Sequence, residues 1–426
     1  MKSALFLSLI FVAFLLSACG TDASLPPSVV SDTSIQDTTP IQAVSSDVSA
    51  PDIASDVRVS NDTGPMPEDV NNTADMPLLD GTSPDSSPLD TVNIVPPPKN
   101  SASACFADKY DPTEPGPEYD QYNPTVATHC LGTNHQDIVD IEQVVFLGDS
   151  VTVGTPNLTH PLSTDNGHFF RNRLAVWLAE NYGLDQGNDI EWGLWKAYDY
   201  VEGKGALMQA GDFKNCSKWG ARTDDLLDGG GQLYECLPNG TSDKRTLFVF
   251  TIGGNDISKI TQEGGDASDE EVAAGYPKAW ELAESTIQYL KEALEWIGDP
   301  ANFPNGSYVI FTNPFEFTDG SGDVSTCAAA SIAGYKTWAN PAVLKEIVLY
   351  ITEQYTKLAV DTQTDVLWML EQFCGHGFAT TGEFADTSNQ CYLGPDAELY
   401  FDETCTHPSP AGHKAIFKMF KAAMLE

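Results

Sequence analysis

Short runs of apolar residues alternate with longer amphipathic segments along the second part of the chain. β-Branched and aromatic residues fill 144–147, 247–252 and 308–311, and a shorter run follows at 366–368. Runs of this length, bounded by Gly, Asn or Pro, predict buried strands. Alternation of such strands with helices predicts an α/β fold of three layers, in which helices cover both faces of a parallel sheet.

Helical spacing of apolar residues predicts helices at 169–182, 277–297, 343–360 and 410–425. Proline in the first turn of two of them is typical of helix starts. In open parallel sheets, ligands bind beyond the carboxyl ends of the strands. We therefore expect the chemistry to lie in the residues that directly follow the apolar runs.

The first residues have the features of an export signal. Lys2 precedes an apolar run over 4–16, and small residues lead to Cys19. The run is shorter than the roughly 20 residues that span a bilayer, and its pattern is that of a signal peptide. Leu16-Ser17-Ala18-Cys19 resembles a bacterial lipobox, which implies that Cys19 is acylated and becomes the mature N-terminus. The alternative is an ordinary signal peptide that is cleaved nearby.

Both alternatives place the protein outside the cytoplasm. The lipobox predicts a membrane-anchored lipoprotein of the outer membrane, on its periplasmic or cell-surface face.

Residues 20–102 are rich in Ser, Thr, Asp and Pro and contain almost no aromatic residues. Such a segment cannot bury enough apolar surface to offset its ordering entropy. We therefore predict a signal over 1–19, a disordered tether over 20–102 and one folded domain over 103–426.

The charge of the chain restricts its partners. There are 22 Lys and Arg residues against 61 Asp and Glu residues, which gives a net charge of −39. A surface this acidic repels nucleic acid phosphates and anionic membrane surfaces. We expect a monomer that contacts the membrane through its lipid anchor. Neither a metal nor a cofactor is expected, because the sequence has no Cys-x-x-Cys pair and no His-Glu-x-x-His motif.

Eight cysteines remain when Cys19 is set aside, and an even number in an exported chain predicts disulfides. Sequence neighbours are the preferred pairs, which suggests Cys216–Cys236 and Cys391–Cys405. The eight cysteines are Cys105, Cys130, Cys216, Cys236, Cys327, Cys374, Cys391 and Cys405.

Three motifs follow or precede the predicted elements in a fixed order. Gly-Asp-Ser ends at Ser150 after the first strand, Gly-Gly-Asn-Asp contains Asn255 after a later strand, and His-Pro-Ser begins at His407 before the last helix. A segment between the first two contains Gly220. Together, these motifs resemble those of the SGNH hydrolases, the superfamily of GDSL-type esterases and lipases. The resemblance spans residues 141–426.

The resemblance implies a flavodoxin-like parallel sheet and the hydrolysis of carboxylic esters through an acyl-serine intermediate. Ser150 would be the nucleophile and His407 its base. The backbone N–H groups of Ser150 and Gly220 and the side-chain amide of Asn255 would form the oxyanion hole. The expected substrates are lipid acyl esters or carbohydrate acetyl esters.

The acid that orients His407 departs from the family pattern. The family places Asp three residues before its histidine, and this position is Thr404 here. Asp402 is the preferred candidate. Glu403 and a dyad that uses a backbone carbonyl are the alternatives.

Two other functions remain open. A surface-binding or adhesion module could keep the fold without activity, or the native reaction could be acyl transfer. Four aromatic residues near the motifs are candidates for a sugar-stacking or acyl site, although core packing is the expected role of most of them. They are Trp192, Trp195, Trp219 and Tyr198.

Overall fold

The computed structural model describes residues 101–110, 116–155, 166–330 and 334–426. The predicted signal peptide, Cys19 and nearly all of the predicted tether lie outside these residues. The first described helix starts at Ala102, one residue before the predicted domain boundary. The Ala102 side chain is fully buried.

Six of the described strands form one sheet in the order β4-β5-β1-β6-β7-β8. The edge strand β4 runs antiparallel to β5, and all other neighbours are parallel. A separate antiparallel hairpin joins β2 and β3. The strands are β1 (Gln143–Gly148), β2 (Tyr198–Asp199), β3 (Lys204–Gly205), β4 (Gln209–Ala210), β5 (Phe213–Asn215), β6 (Thr246–Thr251), β7 (Ser307–Thr312) and β8 (Asp365–Leu367).

The five parallel strands, counted along the chain, lie in the order 2-1-3-4-5. This is the flavodoxin-like order, and its reversal point lies beside β1. The predicted α/β fold with a parallel sheet is therefore confirmed. The loops that follow β5, β1 and β6 meet at the carboxyl end of the sheet, because these strands are parallel neighbours.

Helices cover both faces of the sheet. The described helices are α1 (Ala102–Cys105), α2 (Ser150–Val153), α3 (Phe170–Tyr182), α4 (Asp189–Lys196), α5 (Gln232–Cys236), α6 (Gly254–Gly265), α7 (Asp269–Ala273), α8 (Pro277–Gly298), α9 (Pro341–Thr362), α10 (Met369–Phe373) and α11 (Pro410–Leu425).

Two apolar cores lie on opposite faces of the sheet because side chains alternate along each strand. Val144 and Phe146 of β1 pack into the core that contains buried residues of α3, α4 and α11. Val145 and Leu147 pack into the other core, with buried residues of α8 and α9. All six residues of β1 are buried, which explains why the strand reads as a continuous apolar run.

Four disulfides use all eight cysteines of the described domain. The predicted Cys216–Cys236 pair is confirmed. The predicted Cys391–Cys405 pair is wrong. The loop after β7 brings Cys327 to Cys405, with 6.0 Å between their Cα atoms, and Cys391 lies 5.0 Å from the Cα of Cys374. Both separations suit a disulfide, so spatial proximity overrides sequence proximity here. The fourth pair is Cys105–Cys130.

In the part of the chain that the structure describes, no helix combines the length and the apolar character needed to cross a bilayer.

Candidate active site

Ser150 is the first residue of α2, directly beyond the end of β1. The turn before it requires Gly148, the last residue of β1. Its φ is +103°, and its Cα lies close to the neighbouring strand β6. A Cβ there would lie 2.1 Å from the carbonyl oxygen of Thr251. Asp149 caps the helix, and its Oδ1 accepts hydrogen bonds from the Val151 N–H at 3.0 Å and the Thr251 hydroxyl at 2.9 Å. Asp149 therefore shapes the turn that leads into Ser150.

His407 lies within hydrogen-bond distance of this serine. Its Nε2 is 2.9 Å from the Oγ of Ser150. The loop that carries His407 closes on itself, since the Asp402 N–H donates to the His407 carbonyl at 2.9 Å. Ser409 then caps α11 by accepting the Gly412 N–H. The structure thus brings together the two residues that the motifs predict as nucleophile and base.

The other ring nitrogen of His407 contacts a hydroxyl, not a carboxylate. Nδ1 lies 2.9 Å from the Oγ1 of Thr404. Thr404 in turn donates its backbone N–H, at 2.8 Å, and its hydroxyl to the same oxygen, Oδ1 of Asp402. Asp402 therefore reaches the imidazole through Thr404. Glu403 is exposed. The orienting role of Asp402 stays a prediction.

Burial and charge act on His407 in opposite directions. Burial lowers its pKa, and the negative charge of Asp402 raises it, with burial the larger effect. The net result is a pKa below the ordinary value of 6.5. His407 is therefore neutral at neutral pH, as a general base must be.

The predicted oxyanion-hole residues come from three neighbouring strand ends. Ser150 follows β1, Gly220 follows β5 and Asn255 lies in the first turn of α6 after β6. The Asn255 amide donates to the Ala221 carbonyl at 2.9 Å, which holds it beside the segment of Gly220. Gly220 has a φ of +75°, which favours glycine. Within the described ranges, the N–H groups of Ser150 and Gly220 donate to no protein acceptor.

A buried carboxylate braces the segment that follows Gly220. Asp256 accepts the N–H and the hydroxyl of Thr223, the latter at 2.9 Å, and the hydroxyl of Thr286 in α8 at 3.3 Å. Burial raises the pKa of Asp256 to about 6. Its place directly after Asn255 was visible in the sequence, but a bracing role was not predicted.

Arg171 holds the C-terminal end of α2. This role was not predicted from the sequence. Its guanidinium is fully buried and donates to the carbonyls of Thr152, Val153 and Trp195, at 3.0–3.3 Å. Burial lowers its pKa to about 9. Two of these carbonyls belong to the last turn of α2, where backbone acceptors have no partner within the helix. A cation inside an otherwise apolar helix stripe was the available signal.

Three aromatic rings form a cluster that we call the aromatic shelf: Tyr198, Tyr200 and Trp219, the last of which directly precedes Gly220. The Trp219 ring lies 6.0 Å from that of Tyr198 and 5.7 Å from that of Tyr200. Its indole N–H donates to the carbonyl of Gly154, just beyond α2, at 3.0 Å.

The shelf differs from the other two aromatic candidates in exposure. Trp219 and Tyr198 are half-buried, and Tyr200 is exposed. Trp192 and Trp195 stack on each other in the core instead. The prediction of core packing therefore holds for Trp192 and Trp195.

The chain was compared with curated proteins and with solved structures. No curated protein matches the chain. Among solved structures, an extracellular lipase from Streptomyces rimosus is 19% identical, with a TM-score of 0.40, and the match covers 66% of this chain and 99% of the lipase. A phospholipase A1 from Streptomyces albidoflavus NA297 is 17% identical, with a TM-score of 0.39, and the match covers 66% of this chain and 99% of that enzyme.

The family described as GDSL-like Lipase/Acylhydrolase matches residues 144–420, which is more than half of the chain and includes each residue of the candidate site. The resemblance seen in the motifs is thus confirmed, and the protein belongs to the GDSL-like lipase/acylhydrolase family.

Proposed function

We propose that the protein hydrolyses carboxylic esters through an acyl-enzyme formed on Ser150. The observation that carries this proposal is the contact of 2.9 Å between the Ser150 hydroxyl and Nε2 of His407. It lies at the carboxyl end of the sheet, beside the donors of Gly220 and Asn255. Membership of a family of lipases and acylhydrolases supports the same reaction class.

The first half of the reaction transfers the acyl group to the enzyme. His407 takes the hydroxyl proton of Ser150 on Nε2 while Oγ bonds to the ester carbonyl carbon. The carbonyl oxygen becomes an oxyanion, which the N–H groups of Ser150 and Gly220 and the amide of Asn255 stabilise. His407 then gives its proton to the departing alcohol as the carbon–oxygen bond breaks.

The second half releases the acid. A water molecule gives a proton to Nε2 of His407 and bonds to the acyl carbon, which forms a second oxyanion in the same place. Ser150 leaves, takes its proton back from His407, and the carboxylic acid departs. His407 passes its first proton to the alcohol and its second to Ser150, so the enzyme returns to its starting protonation state.

The aromatic shelf bears on the substrate class. Trp219 directly precedes Gly220 in the chain, and we propose that a group bound on the shelf lies beside the scissile bond. Aromatic faces suit an acyl chain, through apolar burial, and equally a sugar ring. We therefore propose lipid acyl esters or carbohydrate acetyl esters as substrates.

We also propose that the protein is exported and anchored by a lipid on Cys19. The lipobox-like sequence and the four disulfides support this location, because disulfides persist in oxidising compartments. Metabolic labelling with a palmitate analogue should mark the wild type and not Cys19→Ala. Equal labelling of both would refute the anchor.

The test of the proposed reaction uses 4-nitrophenyl esters with acyl chains of two to sixteen carbons, together with acetylated xylan. Ser150→Ala should abolish hydrolysis of every substrate that the wild type cleaves. The matched control is Ser388→Ala, an exposed serine whose hydroxyl donates only to nearby Asp386. The preferred chain length distinguishes a lipid from an acetyl substrate. Equal activity of Ser150→Ala and the control would refute the nucleophile.

A further inference from the structure

The Thr404 hydroxyl occupies the space between His407 and Asp402. It lies 2.9 Å from Nδ1 of the imidazole and is also hydrogen-bonded to the carboxylate. Thr404 stands three residues before His407 in the chain, and Asp402 stands five before it. A hydroxyl has one hydrogen to donate and lone pairs to accept with, so it can take part in both contacts at once.

The direction of these hydrogen bonds follows from the chemistry of the groups. An ionised carboxylate only accepts, so the Thr404 hydrogen must point to Oδ1 of Asp402. The hydroxyl oxygen can then only accept from the imidazole, which places the ring proton on Nδ1. Nε2 is left without a proton and faces the Ser150 hydroxyl at 2.9 Å. The chain of contacts therefore selects the one tautomer of His407 that can act as a base.

We propose that Thr404 is a positioning residue that couples Asp402 to His407, so that the site works as a relay of serine, histidine, threonine and aspartate. The relay rests on the proposed esterase reaction and states how its base is oriented. Thr404 transfers no proton to the substrate. It fixes the orientation of the imidazole and links it by hydrogen bonds to the carboxylate of Asp402.

The fold of the loop holds Thr404 in this place. Phe401 and Pro408 pair as a β-bridge, which closes the six residues between them into a tight loop. Cys405, next to Thr404, has a φ of +70° and is tied by its disulfide to Cys327. The segment between Asp402 and His407 is thus a braced turn. A threonine that merely capped this turn would bond to Asp402, but it would not need to contact Nδ1.

Among the described residues, Asp402 is the charged group that acts on His407, which makes its effect measurable. The negative charge of Asp402 raises the pKa of His407 against the lowering caused by burial. From α11, His413 also interacts with His407, but burial holds the pKa of His413 well below its ordinary value, so it is neutral. Glu403 is exposed and has no hydrogen bond to His407 within the described residues.

The test measures kcat/KM against pH for a 4-nitrophenyl ester, using the full chain and four single variants. Thr404→Val should lower kcat/KM about 10- to 100-fold, because the Nδ1 donor loses its hydrogen-bond partner. Thr404→Ser keeps the hydroxyl and should stay close to the wild type. Asp402→Asn should move the acid limb of the profile to lower pH, because the charge that raises the pKa of His407 is removed. Glu403→Gln is the matched control and should move neither quantity.

A rescue variant tests the same claim in the opposite direction. Asp402→Asn combined with Thr404→Asp moves the carboxylate to the position that faces Nδ1. It should recover part of the activity that Asp402→Asn loses, and it should raise the acid limb again. A merely structural role for Thr404 predicts no such recovery.

The outcomes separate the relay from the reaction. Wild-type kcat/KM in Thr404→Val would overturn the relay while leaving the esterase intact. If Thr404→Val does not fold, the acid limb of Asp402→Asn decides, and an unmoved limb overturns the relay. If the folded wild type shows no hydrolysis that depends on Ser150, the proposed function fails and the relay fails with it.

Discussion

At the scale of single residues, the site depends on polar side chains that each satisfy a specific backbone or hydroxyl group. Asp149 shapes the turn before Ser150, Asp256 braces the segment after Gly220, and Arg171 takes the carbonyls at the end of α2. None of the three is placed to act on a substrate. They hold the reacting groups in a fixed geometry, which is what an acyl-transfer site requires.

Asn255→Ala tests the oxyanion hole. Loss of one donor should lower kcat by about 10²–10³ while KM changes little, because the amide binds the charge that develops only in the transition state. Asn181→Ala is the matched control, since Asn181 is exposed and also donates its amide to a backbone carbonyl, that of Trp177. Steady-state kinetics on the preferred ester would measure both. An unchanged kcat in Asn255→Ala would remove this residue from the oxyanion hole.

The motifs of Ser150, Asn255 and His407 could be recognised because each follows or precedes an element with a clear apolar pattern. Gly220 follows β5, which has no such pattern, and the roles of all four residues stay predictions. The contact of Thr404 with His407 could not be predicted in this way. A threonine three residues before a histidine has no distinctive pattern. Its contact with His407 depends on how the loop folds back. The Cys327–Cys405 disulfide holds this fold, whereas the sequence suggested that Cys405 pairs with Cys391.

At the scale of elements, strands and helices with an apolar pattern follow from the sequence, including the three-residue β8, which was predicted at 366–368. Elements without such a pattern do not. β6 was predicted at 247–252 and is Thr246–Thr251, and α11 was predicted at its observed bounds. β5 has only three residues and carries no apolar run, so nothing in its sequence announces a strand. It exists because it pairs with β1, with Phe213 beside Val144. Pairing between residues 69 positions apart leaves no local signal.

The Cys327–Cys405 disulfide ties the loop of His407 to the loop after β7. Cys327→Ser combined with Cys405→Ser should lower kcat, because the turn that holds Thr404 against the imidazole loses its brace. Cys105→Ser combined with Cys130→Ser is the control. It removes the disulfide of α1, and it should lower the melting temperature with kcat retained. Removing a native disulfide commonly costs about 2–5 kcal/mol of stability. Retained kcat in the first pair would show that the loop needs no covalent brace.

At the scale of the whole molecule, the net negative charge and two buried carboxylates lower stability as the pH rises. The chain carries a net charge of −39, and repulsion among ionised carboxylates opposes the compact state. Burial raises the pKa of Asp149 to about 7 and that of Asp256 to about 6. Folded pKa values above the unfolded values mean that the native state binds more protons. The stability contribution of both groups is complete below about pH 4 and is lost as the pH rises through 6 to 7.

Asp149→Asn tests this sign. Oδ1 of Asp149 accepts both hydrogen bonds, so an asparagine oxygen can replace it without loss of either contact. At pH 8 the variant should be more stable than the wild type, by on the order of a few kcal/mol, because no charge is buried. At pH 5 the two should differ little. Chemical unfolding at both pH values measures this, with exposed Glu383→Gln as the control. A variant less stable than the wild type at pH 8 would reverse the predicted linkage.

The most direct test of the esterase account is the reaction of the folded protein with a fluorophosphonate probe, mapped by peptide mass spectrometry. This probe reacts with a serine that a neighbouring base activates, and it needs no knowledge of the natural substrate. If Ser150 is the nucleophile and His407 its base, we expect one adduct, on Ser150. It should be absent in Ser150→Ala and form far more slowly in His407→Ala. A folded protein that forms no adduct, or forms it equally fast without His407, would contradict the account.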